Sequence, residues 1–343
     1  MEALVWLAPH VLVLREEPEP QPGPGEVLVA VSAAGICGSE LSGYIGQSSI
    51  RVPPLIMGHE AAGRIATDSD LLLGDGSLAR VGTRITFNPL AGCGTCDRCR
   101  AGRENICRTR TLIGAHRPGA FAPFVAVPAT HCFALPTHLS ETAGSLTEPL
   151  ACAVRAVGHA QVTADEPVLI IGAGPIGLCS LIAARAVGAK NIIISDIQPR
   201  RLELAIRWGA KATINAREED IVAAVQRIAP GGVAAVIDAV GTDGTRQQAI
   251  QSVVPGGRVV FIGLHDEHTA LAANYLVRQE IVICGSFAYT PTEFSQALAL
   301  LSAGALTPSD DWLEERPLSA GPASFEELLA GSAAAAKIVL RLP

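Results

Sequence analysis

Hydrophobic positions along the chain follow two different rhythms. From Ala3 to about Pro149, short Val, Leu and Ile runs such as VLVL (Val11 to Leu14) and VLVAV (Val27 to Val31) are broken by proline and glycine, as in PEPQPGPGE from Pro18 to Glu26. Short apolar runs bounded by turn residues predict a mostly β domain. After Pro167 the strand-length runs VLII, NIIIS, AAVID, GRVVFIG and IVICG alternate with the helix-length stretches LCSLIAARAVG, RLELAIRWGA and IVAAVQRIA. That alternation predicts βαβ units and a parallel sheet covered on both faces. The pattern fades near Gly285. From Thr290 to Gly304 the chain reads as a Thr-capped amphipathic helix, and AAAKIVLRL as a last strand returning to the first domain. The expected organisation is α/β in two domains, a mostly β one over residues 1–150 and 296–343 and a doubly wound parallel-sheet one over 151–295. Asp68 to Arg80, with its LLLGDG, reads as a surface insertion.

A chain of 343 residues exceeds what one core usually supports, and 49% hydrophobic against 17% charged residues suits a globular protein. The net charge of −7 offers no cationic field for phosphate backbones or anionic lipid, so neither nucleic acid nor a membrane is expected as a partner. No apolar stretch approaches the roughly 18 to 20 residues of a spanning helix. Met1 to Arg15 lacks the basic and long apolar regions of a signal peptide, so a cytoplasmic protein is expected.

Candidate chemistry begins at VLIIGAGPIGL. Gly172, Gly174 and Gly177 follow an apolar strand and open a helix, the context that gives a GxGxxG its meaning as a dinucleotide fingerprint. The first glycine makes the tight turn, the second admits the pyrophosphate and the third lets helix pack on strand, with the pyrophosphate at the helix N-terminus. Asp196 closes the next strand at the spacing expected of a carboxylate that accepts from the adenosine ribose hydroxyls, which favours NAD over NADP. Arg200 and Arg201 follow closely and could instead hold a phosphate.

Nine cysteines, four of them crowded between Cys93 and Cys107, suit a metal site better than a secreted disulfide framework. Cys93, Cys96, Cys99 and Cys107 let one short loop wrap a tetrahedral ion, and zinc is the usual occupant of such a closed, structural site. An iron–sulfur reading competes, but Cys107 is followed by Arg108 and not by proline. A catalytic zinc needs an open site with ligands from distant segments. Cys37 in GICGS, His59 and Glu60 in GHE, and Glu148 in TEPLA are the candidates. Taken singly, each also reads as structural: a small buried hydrophobe, a satisfied polar residue and a helix N-terminal acid.

The order GICGS, GHE, four-cysteine loop, EPLA and GAGPIG, followed by GGRVVFIGL and GSF, resembles the motif series of the zinc-containing medium-chain alcohol dehydrogenases over essentially the whole chain. The resemblance implies a GroES-like catalytic domain, a Rossmann coenzyme domain, an active site in the cleft between them, NAD, and two zinc ions, one catalytic and one structural. It implies that Cys37, His59 and Glu148 bind the catalytic zinc, that Glu60 exchanges with zinc-bound water or orients His59, and that Ser39 takes the alcohol proton. Zinc lowers the pKa of a bound water from 15.7 toward about 7, and a bound alcohol should respond similarly. Pro175, Ile176, Arg201, Val240, Gly263, Leu264, Ser286 and Phe287 are assigned with the glycines and Asp196 to the cofactor site.

Glu148, where classical alcohol dehydrogenases carry cysteine, resembles the sorbitol, galactitol phosphate, butanediol and threonine dehydrogenase branch. The expected reaction is therefore hydride transfer between NAD and a secondary alcohol, polyol or sugar-like. A simple alcohol dehydrogenase, an L-threonine dehydrogenase and a non-catalytic NAD-binding redox sensor are the alternatives. Three positions depart from the family: Glu40 replaces an Asp, Ser42 a relay His, and Arg155 a His after EPLA. The first two bear on proton transfer and the third on the cofactor or substrate pocket. Arg51, Arg117 and Arg155 could bind an acidic or phosphorylated substrate, but read better as solvated surface charges. The family further implies a homodimer or homotetramer, paired through the sheet edge around Val259 to Ile283.

Overall fold

The strand Glu26–Gly35 organises the first half of the molecule. It starts after Gly25, whose φ of +78° ends the proline-rich turn, and its Val and Ala residues are almost all buried. It pairs antiparallel with three strands, Glu60–Ile65, Phe124–Pro128 and Lys337–Arg341. In the register Gly35 lies opposite both Glu60 and Val339. Chain segments 25 and about 300 residues apart thus meet at one strand end, and Cys37 follows two residues later.

In the computed structural model, which describes every residue except Asp310, the chain divides into two compact units: Met1–Glu148 with Thr290–Pro343, and Pro149–Tyr289. The helix Pro291–Ser302 belongs to the first, with Thr290 as N-cap in a capping box with Glu293. The strand Leu313–Pro317 pairs in parallel with Lys337–Arg341. Its sequence LEERP carries no apolar run, and this edge strand escapes a reading of hydrophobicity. The segment 68–80 is more than surface decoration, because Leu73 and Ala79 are buried in the core with Phe87, Phe121 and Phe325. That corrects its reading as an insertion: LLLG supplies a core residue before it turns.

The second unit holds a six-stranded, all-parallel sheet ordered 212–215, 192–196, 168–171, 233–238, 253–261, 282–285. Its central strand VLII is buried throughout, as a strand covered on both faces must be. The helix Asp243–Ser252 has no apolar periodicity and is started instead by a Thr242/Thr245 capping box. The α/β class with a parallel sheet read from the sequence is the class observed. Among the described residues no helix is long and apolar enough to cross a membrane.

Candidate active site and metal centres

Cys37 leaves the 26–35 strand as the N-cap of the short helix Gly38–Tyr44; Glu60 begins the neighbouring strand Glu60–Ile65, and His59 directly precedes it. The Gly35–Glu60 register therefore brings them together, and one ligand atom from each of Cys37, His59 and Glu60 lies within 4.8 Å of the others. His59 and Glu60 are buried, at 4% and 1% exposure. Glu148, expected as the third ligand, is 7% exposed in the first turn of helix Thr147–Ala160 and is not part of this cluster.

Glu40, a position that the sequence reading tied to proton transfer, supports His59 in the structure. Its Oε1 accepts from Gly58 N–H at 2.8 Å and stands 2.8 Å from His59 Nδ1, while Oε2 accepts from Cys37 N–H at 2.9 Å. Glu40 is wholly buried. Burial alone would raise its carboxyl, but His59, Arg51 and the Cys37 N–H together hold it below the usual carboxylate range. A carboxylate on Nδ1 fixes the ring and leaves Nε2 as the metal-binding nitrogen, a support common to metal-ligating histidines. The pattern was legible as a capping box, in which the N3 acid reaches back to the N-cap N–H.

Lys337 is a second residue that sequence reasoning missed. Its ammonium donates to Glu60 Oε2 and, at 2.9 Å, to Ile36 O, and both partners of the ion pair are 1% exposed. Burial would depress the ammonium, but Glu60 and Cys37 hold it above its ordinary value. A Cβ on Gly35 would stand 2.3 Å from Glu60 Oε2 and 2.9 Å from Lys337 Cε, so only glycine leaves room for the pair. The lone lysine inside AAAKIVLRL was the available signal.

Ser39 Oγ donates to Cys37 Sγ at 3.4 Å. Ser42, where the family has its relay histidine, instead donates to its own helix at Gly38 O, 3.3 Å away. Two of the arginines read as solvated are not: Arg51 is 5% and Arg155 8% exposed. Arg117 is half-buried, ion-paired to Glu26 and donating to Ala126 O at 3.1 Å. Intrachain acceptors claim the Arg51 and Arg117 charges, which no local pattern announces.

The four cysteines form a second cluster whose sulfurs lie within 4.8 Å of one another. Cys96 and Cys99 sulfurs are 3.6 Å apart, Cys96 and Cys107 3.8 Å, and Cys93 and Cys99 4.0 Å. Four thiolates at about 2.3 Å from one ion stand about 3.8 Å apart, so the spacing fits a tetrahedral zinc and is far too long for a disulfide. Thr95 lowers the Cys93 thiol to about 5, whereas burial and its sulfur neighbours push Cys99 up to about 12. A divalent cation removes that conflict by letting all four ionise. Five arginines between Arg98 and Arg110 offset the net negative charge of a zinc tetrathiolate.

In the second unit Gly172 adopts φ +94° at the turn between the 168–171 strand and helix Pro175–Ala186, where Pro175 and Ile176 form the first turn. A Cβ on Gly177 would lie 1.7 Å from Gly172 O, so that glycine is fixed by packing. Above Gly174 the nearest atom to an added Cβ is Arg201 Nη1 at 3.9 Å, an open approach to the helix N-terminus that suits a pyrophosphate. Asp196 Oδ2 accepts from Ala173 N–H at 2.7 Å and Oδ1 from Gln198 N–H at 2.8 Å, with Arg201 3.9 Å away. Each oxygen retains a lone pair for a ribose hydroxyl. Val240 packs beside Gly172; Gly263 closes on Gly241; Ser286 is buried, while Phe287 and Leu264 are exposed at 38% and 79%.

Residues 23–137 match the alcohol dehydrogenase GroES-like domain and residues 175–303 the zinc-binding dehydrogenase domain. The chain is 33% identical to a sorbitol dehydrogenase of Bacillus subtilis over 81% of its own length and 79% of that protein. It superposes on a Sinorhizobium meliloti chain described as a zinc-binding dehydrogenase and solved with NADP, with TM-score 0.89, 31% identity and 99% of each chain covered. An Escherichia coli chain described as a short chain alcohol dehydrogenase, solved with NADH, gives TM-score 0.90 and 28% identity over 100% of this chain and 99% of that one. The fold and the two ligand clusters define a zinc-dependent dehydrogenase using a nicotinamide dinucleotide. The chain belongs to the zinc-containing medium-chain alcohol dehydrogenase family, in the branch that includes sorbitol, xylulose and threonine dehydrogenases.

Proposed function

We propose that the protein oxidises a secondary alcohol of a polyol or sugar-like substrate reversibly with NAD, on a catalytic zinc that Cys37, His59 and Glu148 would hold, with Glu60 as the neighbouring acid. The observation that carries this reading is the convergence of Cys37, His59 and Glu60 beside the Ser39 hydroxyl. Thiolate, imidazole and carboxylate are a donor set suited to catalytic zinc. When bound, zinc supplies Lewis acidity that makes an alcohol O–H acidic near neutral pH, and the nicotinamide accepts the hydride. The chain's own groups do the rest. Glu40 aims the His59 ring, Lys337 restrains Glu60 by charge, and Ser39 accepts the alcohol proton while passing its own to water. The second zinc, on Cys93, Cys96, Cys99 and Cys107, shapes its loop and takes no part in the reaction.

The polyol assignment is supported by the sorbitol dehydrogenase relative and by a glutamate at position 148. Initial rates with zinc-loaded protein and a panel of polyols, diols, simple alcohols and L-threonine test it; turnover of ethanol or L-threonine alone would move the substrate to one of the alternatives.

Preference for NAD follows from the Asp196 carboxylate, which would face the 2'-phosphate of NADP. Replacing Asp196 by Ser is expected to lower the NAD-over-NADP ratio of kcat/KM by about 100-fold, because a like-charge contact costs several kcal/mol. Initial rates with both dinucleotides check this, and an unchanged ratio would assign discrimination elsewhere. Some loss of stability accompanies it, since Asp196 also ties Ala173 to Gln198.

A homodimer paired through the sheet edge completes the proposal. That edge is the strand Val282–Gly285 and not Val259, which is fully buried one strand inward. Val282 is 40% and Val277 76% exposed, and helix Ala273–Gln279 buries none of its residues.

A further inference from the structure

We propose that Arg51 is a positioning residue for the dehydrogenation, fixing the Ser39 hydroxyl in the one orientation that receives the alcohol. The inference rests on Ser39 as proton acceptor, as read above. Arg51 crosses the helix Gly38–Tyr44 over Gly43, where a Cβ would lie 2.8 Å from Arg51 Cδ, so the helix face is bare where the side chain passes. Its guanidinium then grips Ser39 at two points. Nη1 donates to Ser39 O at 3.0 Å and Nη2 to Ser39 Oγ at 3.2 Å, while Nε is anchored on Gly114 O at 3.2 Å.

A serine hydroxyl has one hydrogen and two lone pairs. At rest the Ser39 hydrogen points to Cys37 Sγ and one lone pair to Arg51, so a single acceptor site remains for an incoming hydroxyl, and the hydrogen turns from the sulfur to water as the alcohol proton arrives. Without the clamp the side chain would sample three staggered wells. With it, one is selected. Burying a guanidinium at 5% exposure is unfavourable unless its donors are satisfied. Here two of the three donor contacts go to one residue, itself two positions from Cys37. Ser42 is no substitute, since its hydroxyl is engaged by Gly38 O. Arg51 acts through Ser39 and is too enclosed to serve as an anion-binding residue for substrate.

Four variants test this: Arg51→Met, Arg51→Lys, Ser39→Ala and the Ser39→Ala/Arg51→Met double. Arg51→Met is expected to lower kcat by about 10- to 100-fold, as loss of an outer support of a metal site does, with alcohol KM changed by less than about threefold. In the Ser39→Ala background the same change should cost less than about threefold more, because residues acting as a unit are not additive. Arg51→Lys should recover part of the rate, one donor replacing a fork. Full multiplicative loss in the double variant, or an unaltered kcat in Arg51→Met, overturns the proposal. Should Arg51→Met fail to fold, Arg51→Lys alone and over Ser39→Ala carries the same comparison.

A second readout needs no turnover. In protein with cobalt at the Cys37 cluster and zinc kept in the four-cysteine loop, the sulfur-to-cobalt charge-transfer band senses the Ser39 hydrogen bond on Cys37, so Arg51→Met and Ser39→Ala should shift it in the same direction. A band that moves in Ser39→Ala and stays in Arg51→Met contradicts the proposal. If wild-type protein oxidises no alcohol with either dinucleotide, the functional reading fails and the band alone decides the role of Arg51.

Discussion

Changing His59 to Ala is expected to abolish alcohol oxidation, lowering kcat/KM by roughly a thousandfold or more, and to reduce bound zinc from two ions per chain to one. Lewis-acid stabilisation is worth several kcal/mol, and each 1.4 kcal/mol is about tenfold in rate. The zinc count separates this from unfolding, because the four-cysteine loop shares no ligand with the Cys37 cluster and should keep its ion. Glu40 would lose the ring it orients, so a further drop in stability accompanies the change. Metal analysis and initial rates on the same preparation check both halves. A variant that keeps two zinc ions, or more than a tenth of the rate, would remove His59 from the ligand set.

Changing Cys107 to Ser is expected to act in the opposite sense, on stability before chemistry. Cys107 is fully buried, its sulfur 3.8 Å from that of Cys96 and accepting from Cys93 N–H at 3.4 Å. Losing that ligand releases the loop's zinc and leaves three crowded thiols without a cation. Loss of a structural metal belongs among the large destabilisations, about 3 kcal/mol or more, which for a unit of about 200 residues lowers the thermal midpoint by roughly 6 to 12 °C. At low temperature kcat should stay within about threefold of wild type, since a coordinatively full site does no chemistry. Calorimetry and rates together check this. An unchanged midpoint would mean that the loop holds its shape without metal.

What the sequence made legible was mostly local. The four-cysteine loop closes within fifteen residues, and the glycine turn and Asp196 belong to one βαβ unit, so spacing alone carries them. The Cys37–His59–Glu60 cluster is different. It depends on the Gly35–Glu60 register, and only the order of motifs pointed to it. The supports were hidden for the same reason. Arg51 reaches Ser39 across 12 positions and Lys337 reaches Glu60 across 277, and hydrophobic periodicity records neither. Motif order also names residues without placing their side chains: of the acids it named, Glu60 groups with Cys37 and His59 within 4.8 Å.

The most direct test of zinc-dependent alcohol oxidation is the initial rate of NADH formation with a polyol panel, measured on zinc-loaded protein, on chelator-stripped protein and after zinc is restored. The account predicts NAD reduction with at least one polyol or sugar-like secondary alcohol, lost on stripping and regained with zinc. No NAD reduction with any member of the panel in the zinc-loaded protein would contradict it.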